Sequence, residues 1–256
     1  MTTRIFREAG TGGWKYMRVR LRVIGSSPAW PNPGSAQSGY LMEGPGKLLL
    51  DCGPGVVGRL RAEDGLEVDA IAITHFHLDH WGDLVPWAWL CAYGSDTMNH
   101  PELWLPPGGQ EQLARFASFW GNAGMFENAF ELREYVPDVA FAAAGFEVEP
   151  RRVLHFNLEA YGFRVRDADG TLLAYSGDAG PSGALDSLAR GADLFLCEAT
   201  LEEPNREGEP RGHLSAPEAL AAADGPVLLT HRPAELSVPD AALAADGLVL
   251  EIERRS

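Results

Sequence analysis

Short apolar runs recur along the chain, separated by polar, proline-rich or glycine-rich stretches. Residues 17–25 alternate polar and apolar side chains, which predicts a half-buried strand. Residues 40–51 predict a hairpin that turns at residues 44–46. The continuous apolar run at residues 68–74 predicts a strand that is buried on both faces.

Strands and helices alternate through the rest of the chain. Helices are predicted in residues 52–65, 82–94, 109–121, 182–200 and 215–231, the last two running into strands that end at Glu198 and His231. Further strands are predicted at 103–106, 146–155, 160–167, 171–178 and 247–252, and residues 122–130 predict an irregular segment. This alternation predicts an α/β fold.

Domain organisation follows from the absence of repeats, low-complexity runs and long linkers in the sequence. We predict a single domain over residues 18–256. Residues 1–17 are polar and rich in glycine, and we expect an N-terminal extension there, either an ordered arm or a frayed, flexible tail.

Acidic or imidazole side chains follow several of the apolar runs at the point where each run ends. These residues are Asp51, His75, Asp178, Glu198 and His231. In layered α/β folds, binding sites gather at the ends of strands. The pattern therefore predicts that these side chains share one pocket.

Residues 74–83, "THFHLDHWGD", crowd three of the seven histidines and an aspartate into six positions. His75 and His77 can turn toward one ion, and Asp79 and His80 can reach a second. Neutral imidazoles and carboxylates suit zinc or a similar first-row metal. The alternative is a polar loop whose histidines form local hydrogen bonds, but their density after a buried strand favours a metal site.

Charge and cysteine content narrow the function classes. The net charge of −15 over 256 residues repels polyanions, which makes nucleic acid an unfavourable partner without excluding it. The cysteines, Cys52, Cys91 and Cys197, are widely spaced and odd in number, as expected of unpaired thiols in a reducing cytosol. The sequence contains neither a membrane-length apolar run nor the apolar core of a signal peptide, so we expect a cytoplasmic protein without a membrane anchor.

The motif "THFHLDH" resembles the signature of the metallo-β-lactamase superfamily, and further family motifs follow in order. They are "LLLDCG" with Asp51, "VLHFNLEAYGFRV" with His155, "LAYSGDAG" with Asp178 and "VLLTHRP" with His231. The resemblance covers about residues 18–232. It implies a four-layer αββα sandwich, the metallo-β-lactamase fold.

The same resemblance implies a dinuclear metal centre. Its first ligand set would be His75, His77 and His155, its second ligand set Asp79, His80 and His231, and its bridging residue Asp178. Asp51 would support the ligands from behind. We expect two divalent ions, Zn²⁺ in the first place, with Mn²⁺ or Fe as alternatives.

Glu198 in "LFLCEAT" and His213 in "GHLSAPEAL" resemble the ribonuclease Z branch of the superfamily, which implies work on phosphate esters. A protonated histidine supported by a glutamate can stabilise phosphoryl charge and protonate a leaving oxygen. "HLSAPEA" also predicts a capping box between Ser215 and Glu218, and such a cap would fix the loop that carries His213. We predict His213 and Glu198, together with Asp79, as the catalytic residues.

The overall pattern is similar to that of short ribonuclease Z-like proteins described as cyclic-nucleotide phosphodiesterases. We therefore expect a hydrolase that cleaves small phosphodiesters, cyclic nucleotides among them, by a metal-bridging hydroxide. The alternatives are a transfer-RNA 3′-processing endonuclease and a metal-dependent thioesterase or lactonase. Residues 98–149 contain two basic residues, Arg115 and Arg133, among eight acidic ones, which disfavours a large polyanionic substrate.

Further expectations concern the substrate pocket and the assembly. Ser38 and Gly53 are candidates for its floor. The aromatic residues Trp81, Trp87 and Trp89, with residues 116–130, are candidates for its walls, although core packing explains Trp87 and Trp89 as well. Related proteins form dimers, so the resemblance also implies a homodimer.

Overall fold

The computed structural model describes residues 19–63, 65–94, 99–204, 208 and 210–255. The predicted extension at residues 1–17 lies outside this described part. The strands are β1 (Arg20–Gly25), β2 (Gly39–Glu43), β3 (Lys47–Leu50), β4 (Ala70–Ala72), β5 (Glu102–Leu105), β6 (Glu131–Glu134), β7 (Phe141–Ala143), β8 (Phe146–Val153), β9 (Ala160–Arg166), β10 (Leu172–Tyr175), β11 (Leu194–Glu198), β12 (Val227–Thr230) and β13 (Val249–Glu251). The helices are α1 (Val56–Glu63), α2 (Leu78–Trp81), α3 (Leu84–Tyr93), α4 (Gly109–Phe119), α5 (Gly183–Ala189) and α6 (Ala216–Ala221).

Two mixed sheets organise these strands. One has the order β13-β1-β2-β3-β4-β5-β6, and the other has the order β12-β11-β10-β9-β8-β7. Strands β3 to β6 run parallel to one another, as do β10, β11 and β12. The predicted hairpin is confirmed, because β2 pairs with β3 in an antiparallel register that brings Glu43 opposite Lys47.

The two-residue period of a strand explains the layering. In β3, Leu48 and Leu50 enter the core between the two sheets, whereas Leu49 packs against the helices outside. In β4, Ala70 and Ala72 face the other sheet and Ile71 faces the helices. A strand covered on both faces needs a continuous apolar run, which is the pattern of residues 68–74.

Helices complete the sandwich on both outer faces. Buried residues of α1, α3 and α4 pack on the sheet that contains β4, and those of α5 and α6 pack on the sheet that contains β11. The order helix, sheet, sheet, helix confirms the predicted four-layer αββα architecture. No helix within the described ranges has the length and apolarity needed to cross a membrane.

Strand direction brings the polar strand endings together. Because β8 and β10 are both antiparallel to β9, they run in the same direction, so the carboxyl ends of β8, β10, β11 and β12 lie at one edge of their sheet. The parallel strands β3 and β4 end at the corresponding edge of the other sheet, where β3 leads into Asp51 and β4 into His75.

Two strands and one helix of the structure were not predicted from the sequence. Strand β6 is an edge strand whose side chains are mostly exposed, so it lacks the apolar alternation that marks a buried strand. Strand β7 and helix α2 are too short to produce a periodic pattern. Residues 122–130 form turns as predicted, but Phe126 and Phe130 are buried and anchor the segment to the core.

Candidate metal centre

The first ligand set combines the loop after β4 with the loop after β8. Nε2 of His155 lies 2.9 Å from Nδ1 of His77. Oδ2 of Asp178 lies 3.9 Å from Nε2 of His75 and 4.0 Å from Nε2 of His155. His75 and His155 therefore face one oxygen of Asp178, and His77 lies beside His155 in the same cluster.

The second ligand set combines α2 with the loop after β12. Oδ2 of Asp79 lies 3.1 Å from Nε2 of His231 and 3.5 Å from Nε2 of His80. The other oxygen of Asp178, Oδ1, lies 3.2 Å from Nε2 of His80 and 3.5 Å from Nε2 of His231. Asp178 thus turns one carboxylate oxygen to each set, as a bridging ligand would.

The donor atoms fit a pair of divalent ions. Ligands at about 2.0–2.2 Å from a tetrahedral zinc lie roughly 3.3–3.6 Å from one another. The separations of 3.1–3.5 Å in the second set are close to this range, and those in the first set lie on both sides of it, from 2.9 to 4.0 Å. Each set together with Asp178 places one ligand atom per residue within 4.8 Å. Nε2 of His75, Nε2 of His80 and Oδ1 of Asp178 are buried and hydrogen-bond to none of the described residues. Buried polar atoms are normally satisfied, so Nε2 of His75 points to a cation in the first set, and Nε2 of His80 and Oδ1 of Asp178 point to a cation in the second.

Burial keeps the first set neutral. Desolvation lowers the pKa of His75 well below its ordinary value and also lowers the pKa of His77 and His155. The neighbouring histidines act in the same direction. Unprotonated imidazoles are the form that binds a metal.

The ionised carboxylates of Asp178 and Asp79 give the second set a negative charge, which favours a cation there. Burial alone would raise the pKa of Asp178 and Asp79, but the neighbouring histidines hold both pKa values below the usual range for an aspartate. Burial alone would lower the pKa of His80, but Asp178, Asp51 and Asp79 raise it well above its ordinary value. The three carboxylates around the His80 imidazole therefore stabilise a positive charge at this position.

Asp51 lies beneath the candidate ligands, where it contacts His80 of the second set directly and His75 of the first set through Thr74. It is fully buried, and its Oδ2 lies 2.7 Å from Nδ1 of His80 and accepts a hydrogen bond of 2.7 Å from the Tyr175 hydroxyl. Its Oδ1 accepts a 2.8 Å hydrogen bond from the backbone N–H of Thr74. The Thr74 hydroxyl also donates to Asp51 and lies 3.0 Å from Nδ1 of His75. A carboxylate behind a ligating histidine fixes the orientation and tautomer of the ring.

Each ligand histidine that presents Nε2 to the centre has a partner at Nδ1. The pairs are His75 with the Thr74 hydroxyl at 3.0 Å, His80 with Asp51 at 2.7 Å, His155 with the carbonyl oxygen of Gly212 at 2.7 Å, and His231 with the Thr200 hydroxyl at 2.9 Å. The sequence interpretation identified Asp51 but missed Thr74, Thr200, Tyr175 and Gly212. The sequence contained a signal for the two threonines, because Thr74 directly precedes the predicted site residue His75 and Thr200 follows the predicted site residue Glu198 by two positions.

Two of the polar strand endings have strained backbones. Asp51 has a φ of 59° and His231 a φ of 52°, in the left-handed region that non-glycine residues rarely adopt. Such outliers cluster at functional sites, where the surrounding structure holds them in place. Asp51 directly follows β3 and His231 directly follows β12, so each residue turns the chain next to the ligand sets.

Glu198 lies at the end of β11 and holds His213 beside the centre. The donors to its buried carboxylate are the N–H groups of Ala179 (3.0 Å), Thr200 (3.0 Å) and Leu214 (3.2 Å), the Thr200 hydroxyl (2.8 Å) and Nδ1 of His213 (2.9 Å). The same Nδ1 lies 4.0 Å from Oδ2 of Asp178. His213 is half-buried, so the pair places a partly accessible imidazole at the edge of the ligand sets.

The loop that carries His213 is fixed by the start of α6. The predicted capping box between Ser215 and Glu218 is confirmed. Glu218 also accepts two hydrogen bonds from Arg211, at 2.7 and 2.9 Å, and Arg211 donates to the carbonyl oxygen of His213 at 3.1 Å. The pKa of Glu218 falls to about 2, mainly because of the hydrogen bond from Arg211.

The predicted floor residues, Ser38 and Gly53, are both buried. The N–H of Gly53 donates to the carbonyl oxygen of Ser38 at 2.8 Å. A Cβ at position 53 would lie 2.0 Å from the backbone oxygen of Asp79, so glycine lets this strand end pack directly beneath α2. These contacts support the ligand loop, and a substrate contact at Ser38 or Gly53 stays a prediction.

The aromatic residues divide by burial. Trp87 is fully buried and Trp81 nearly so, and both belong to the core between their sheet and the helices. Trp89 stacks on Tyr93 at a ring separation of 5.4 Å on α3. Phe116 packs edge-on against Trp81 at a ring separation of 5.0 Å. Phe116 also contacts Trp120, which is about half-exposed. Core packing therefore accounts for Trp81 and Trp87.

Comparison with known proteins agrees with this geometry. A family model described as a beta-lactamase superfamily domain matches residues 47–226. The protein ML1173 of Mycobacterium leprae (strain TN) is 35% identical over 237 residues, which cover 89% of this chain and 82% of that protein. The probable metallo-hydrolase YhfI of Bacillus subtilis (strain 168) is 28% identical over 225 residues, covering 84% of this chain and 87% of YhfI.

Solved structures share the fold. The crystal structure of YhfI, described as a metallo-beta-lactamase fold protein, superimposes with a TM-score of 0.77 at 23% identity, covering 91% of this chain and 99% of YhfI. Human tRNase Z, short form, gives a TM-score of 0.73 at 23% identity, with 91% and 99% covered. A diphosphatase from the PhnP family gives 0.71 at 21% identity, with 93% and 99% covered. The match of the family model over most of the chain, together with the shared fold, shows that the chain belongs to the metallo-β-lactamase superfamily.

Proposed function

We propose that the protein is a dinuclear metal-dependent hydrolase that cleaves phosphodiester bonds in small substrates, with cyclic nucleotides as candidates. The observation that carries the proposal is the Glu198–His213 pair, whose imidazole Nδ1 lies 4.0 Å from the carboxylate of Asp178. The relatives support a hydrolase, because one is named a metallo-hydrolase and one structural neighbour a diphosphatase. We propose Zn²⁺ as the metal, with Mn²⁺ or Fe as alternatives, because the donors are imidazoles and carboxylates.

The chain's own residues supply proton handling and orientation. When bound, the two ions would lower the pKa of a water and stabilise negative charge on the phosphoryl oxygens. The carboxylate of Glu198 accepts from Nδ1 of His213, which fixes the proton on that nitrogen and makes Nε2 the atom that would exchange a proton with the substrate. A protonated His213, stabilised by the buried carboxylate, then donates from Nε2 to the departing oxygen.

Asp79 is the second proposed catalytic residue. Its carboxylate stays ionised because the neighbouring His80 and His231 hold its pKa below the usual range, against the effect of burial. Oδ2 faces the two histidines. An ionised carboxylate at this position can accept a proton from the attacking water as well as serve as a ligand.

A substrate panel on protein of measured metal content tests the proposal. The panel contains bis(p-nitrophenyl) phosphate, cyclic AMP, a precursor transfer RNA, and a thioester with a lactone. We expect turnover of the small phosphodiesters, abolished by a chelator. His213→Ala should lower this turnover by about 10²- to 10⁴-fold while metal content stays unchanged, because the change removes a proton donor and no ligand.

His100→Ala is the matched control, because His100 is exposed and belongs to none of the ligand clusters found among the described residues. It should leave turnover unchanged. Preferred cleavage of the precursor transfer RNA would identify the endonuclease instead. Turnover of the thioester or lactone that survives His213→Ala would identify the thioesterase or lactonase.

A further inference from the structure

Phe156, directly after the ligand His155, has an unusual backbone. Its φ is 49°, in the left-handed region that a bulky residue occupies at a cost. Its N–H donates to the carbonyl oxygen of Arg211 at 3.3 Å, which ties the loop after β8 to the loop that leads to His213. A strained residue held between two site loops points to a role in the site.

The ring of Phe156 lies against two site histidines. Its centroid is 5.6 Å from that of His213, with the ring planes at 83°, and 4.9 Å from that of His155, with the planes at 51°. Separations of this size, with the near-perpendicular geometry toward His213, are those of favourable aromatic contacts. Phe156 is half-buried, so the ring packs on the histidines and also borders the open side of the site.

Gly212 makes room for this ring. A Cβ at position 212 would lie 2.3 to 2.5 Å from ring atoms of Phe156, so any side chain there would displace the ring. The carbonyl oxygen of Gly212 also lies 2.7 Å from Nδ1 of His155. The residue before His213 therefore orients a metal ligand through its carbonyl and admits Phe156 through its missing side chain.

The position of the His213 ring depends on its packing as well as on Glu198. The hydrogen bond from Nδ1 to Oε1 of Glu198, 2.9 Å long, sets the ring plane only while Cβ keeps its place, so contacts on the faces of the ring also matter. The ring of His231 stacks on one side at a centroid separation of 5.8 Å and an angle of 16°. His155 contacts the same ring at 5.1 Å and 74°, and Phe156 contacts it at 5.6 Å and 83°, so both rings oppose a tilt of His213.

We infer that Phe156 is a positioning residue that fixes the plane of the His213 ring and so aims Nε2 at the leaving oxygen. The inference rests on the proposed function, in which His213 donates that proton. Correct aim matters most when the leaving group is strongly basic, because such a group departs slowly unless it is protonated.

The test compares two diesters of similar shape, bis(p-nitrophenyl) phosphate and diphenyl phosphate, whose leaving phenolate is the more basic. Phe156→Ala should lower kcat for diphenyl phosphate by about tenfold or more and kcat for bis(p-nitrophenyl) phosphate by less than about threefold, with little change in KM. Phe156→Tyr keeps the ring and should behave like the wild type. Leu158→Ala truncates an exposed apolar residue of the same loop and is the matched control.

A second variant and a structural measurement complete the test. Gly212→Ala displaces the ring while keeping Phe156, and it should reproduce the selective loss. Crystal structures of Phe156→Ala and, if that protein does not fold, of Phe156→Leu should show the His213 ring tilted or shifted from its wild-type position. Equal losses on both diesters with an unmoved His213 ring would overturn the inference. Wild-type protein that is loaded with metal yet inactive on both diesters would refute the proposed function instead, and the crystal structures would still decide the position of His213.

Discussion

The two ligand sets differ in charge and in burial, although they share Asp178. The first set has three imidazoles, and its His77 is half-exposed. The second set is buried throughout and adds the carboxylate of Asp79, while Asp51 supports its His80 from behind. An ion in the second set would meet two carboxylates, and an ion in the first set would meet one.

This difference predicts unequal binding of two otherwise similar ions. Two carboxylates balance a divalent charge in a buried place, where an uncompensated charge is costly. Three neutral imidazoles leave net positive charge, which makes the ion in the first set the more exchangeable one. The second set should therefore fill first.

Removal of the carboxylate of Asp178, which the two sets share, should have the largest effect on metal binding and turnover. In Asp178→Asn both sets lose a charged ligand, so we expect metal content to fall from about two equivalents to below about one, and phosphodiester turnover to fall to background. Mass spectrometry of the metal content and a hydrolysis assay measure the two effects. Asp186→Asn changes an exposed aspartate on α5 and should alter neither. Retention of both ions in Asp178→Asn would contradict the bridging position.

Single-ligand variants separate the two sets. His77→Ala should keep one tightly bound ion in the second set, whereas His231→Ala should keep one weakly bound ion in the first. The physical reason is the number of carboxylates that remain around each ion. Competition with a chelator of known affinity gives the two dissociation constants. Equal constants would show that the additional carboxylate of Asp79 does not distinguish the sets.

The comparison also separates what a sequence can predict from what it cannot. His75, His77, Asp79 and His80 lie within six consecutive positions, so local spacing and a preceding apolar run are enough to indicate a metal site. The α/β class was predictable for a similar reason, because most strands and helices carry a period of their own, whereas the four-layer sandwich was predicted from the resemblance to the superfamily. The edge strand β6 carries none and was missed.

The residues around the ligands were harder to predict because their partners are distant in sequence. Thr200 contacts His231, Gly212 contacts His155, and no local pattern joins the members of either pair. Phe156 follows a recognised histidine, but its contact with His213 depends on how two loops meet across the site. Such contacts are set by tertiary packing.

Loss of the carboxylate behind His80 should have the smallest of these effects and should sharpen the comparison further. Asp51→Asn keeps the shape of the side chain but removes the charge behind His80, and partners of this kind are worth about 10- to 100-fold in metal affinity. We expect most of that loss in the second set. A smaller loss should reach the first set through Thr74, whose hydroxyl contacts both Asp51 and His75.

Chelator competition on Asp51→Asn measures both affinities, and thermal unfolding of the metal-free protein shows whether the fold is kept. Tyr175→Phe is the matched control, because it removes one hydrogen bond to the same oxygen of Asp51 and leaves the charge in place. It should weaken binding less than Asp51→Asn does. If both variants weaken both sets equally, Asp51 acts on the fold as a whole, and the contrast between the two ligand sets must come from Asp79 alone.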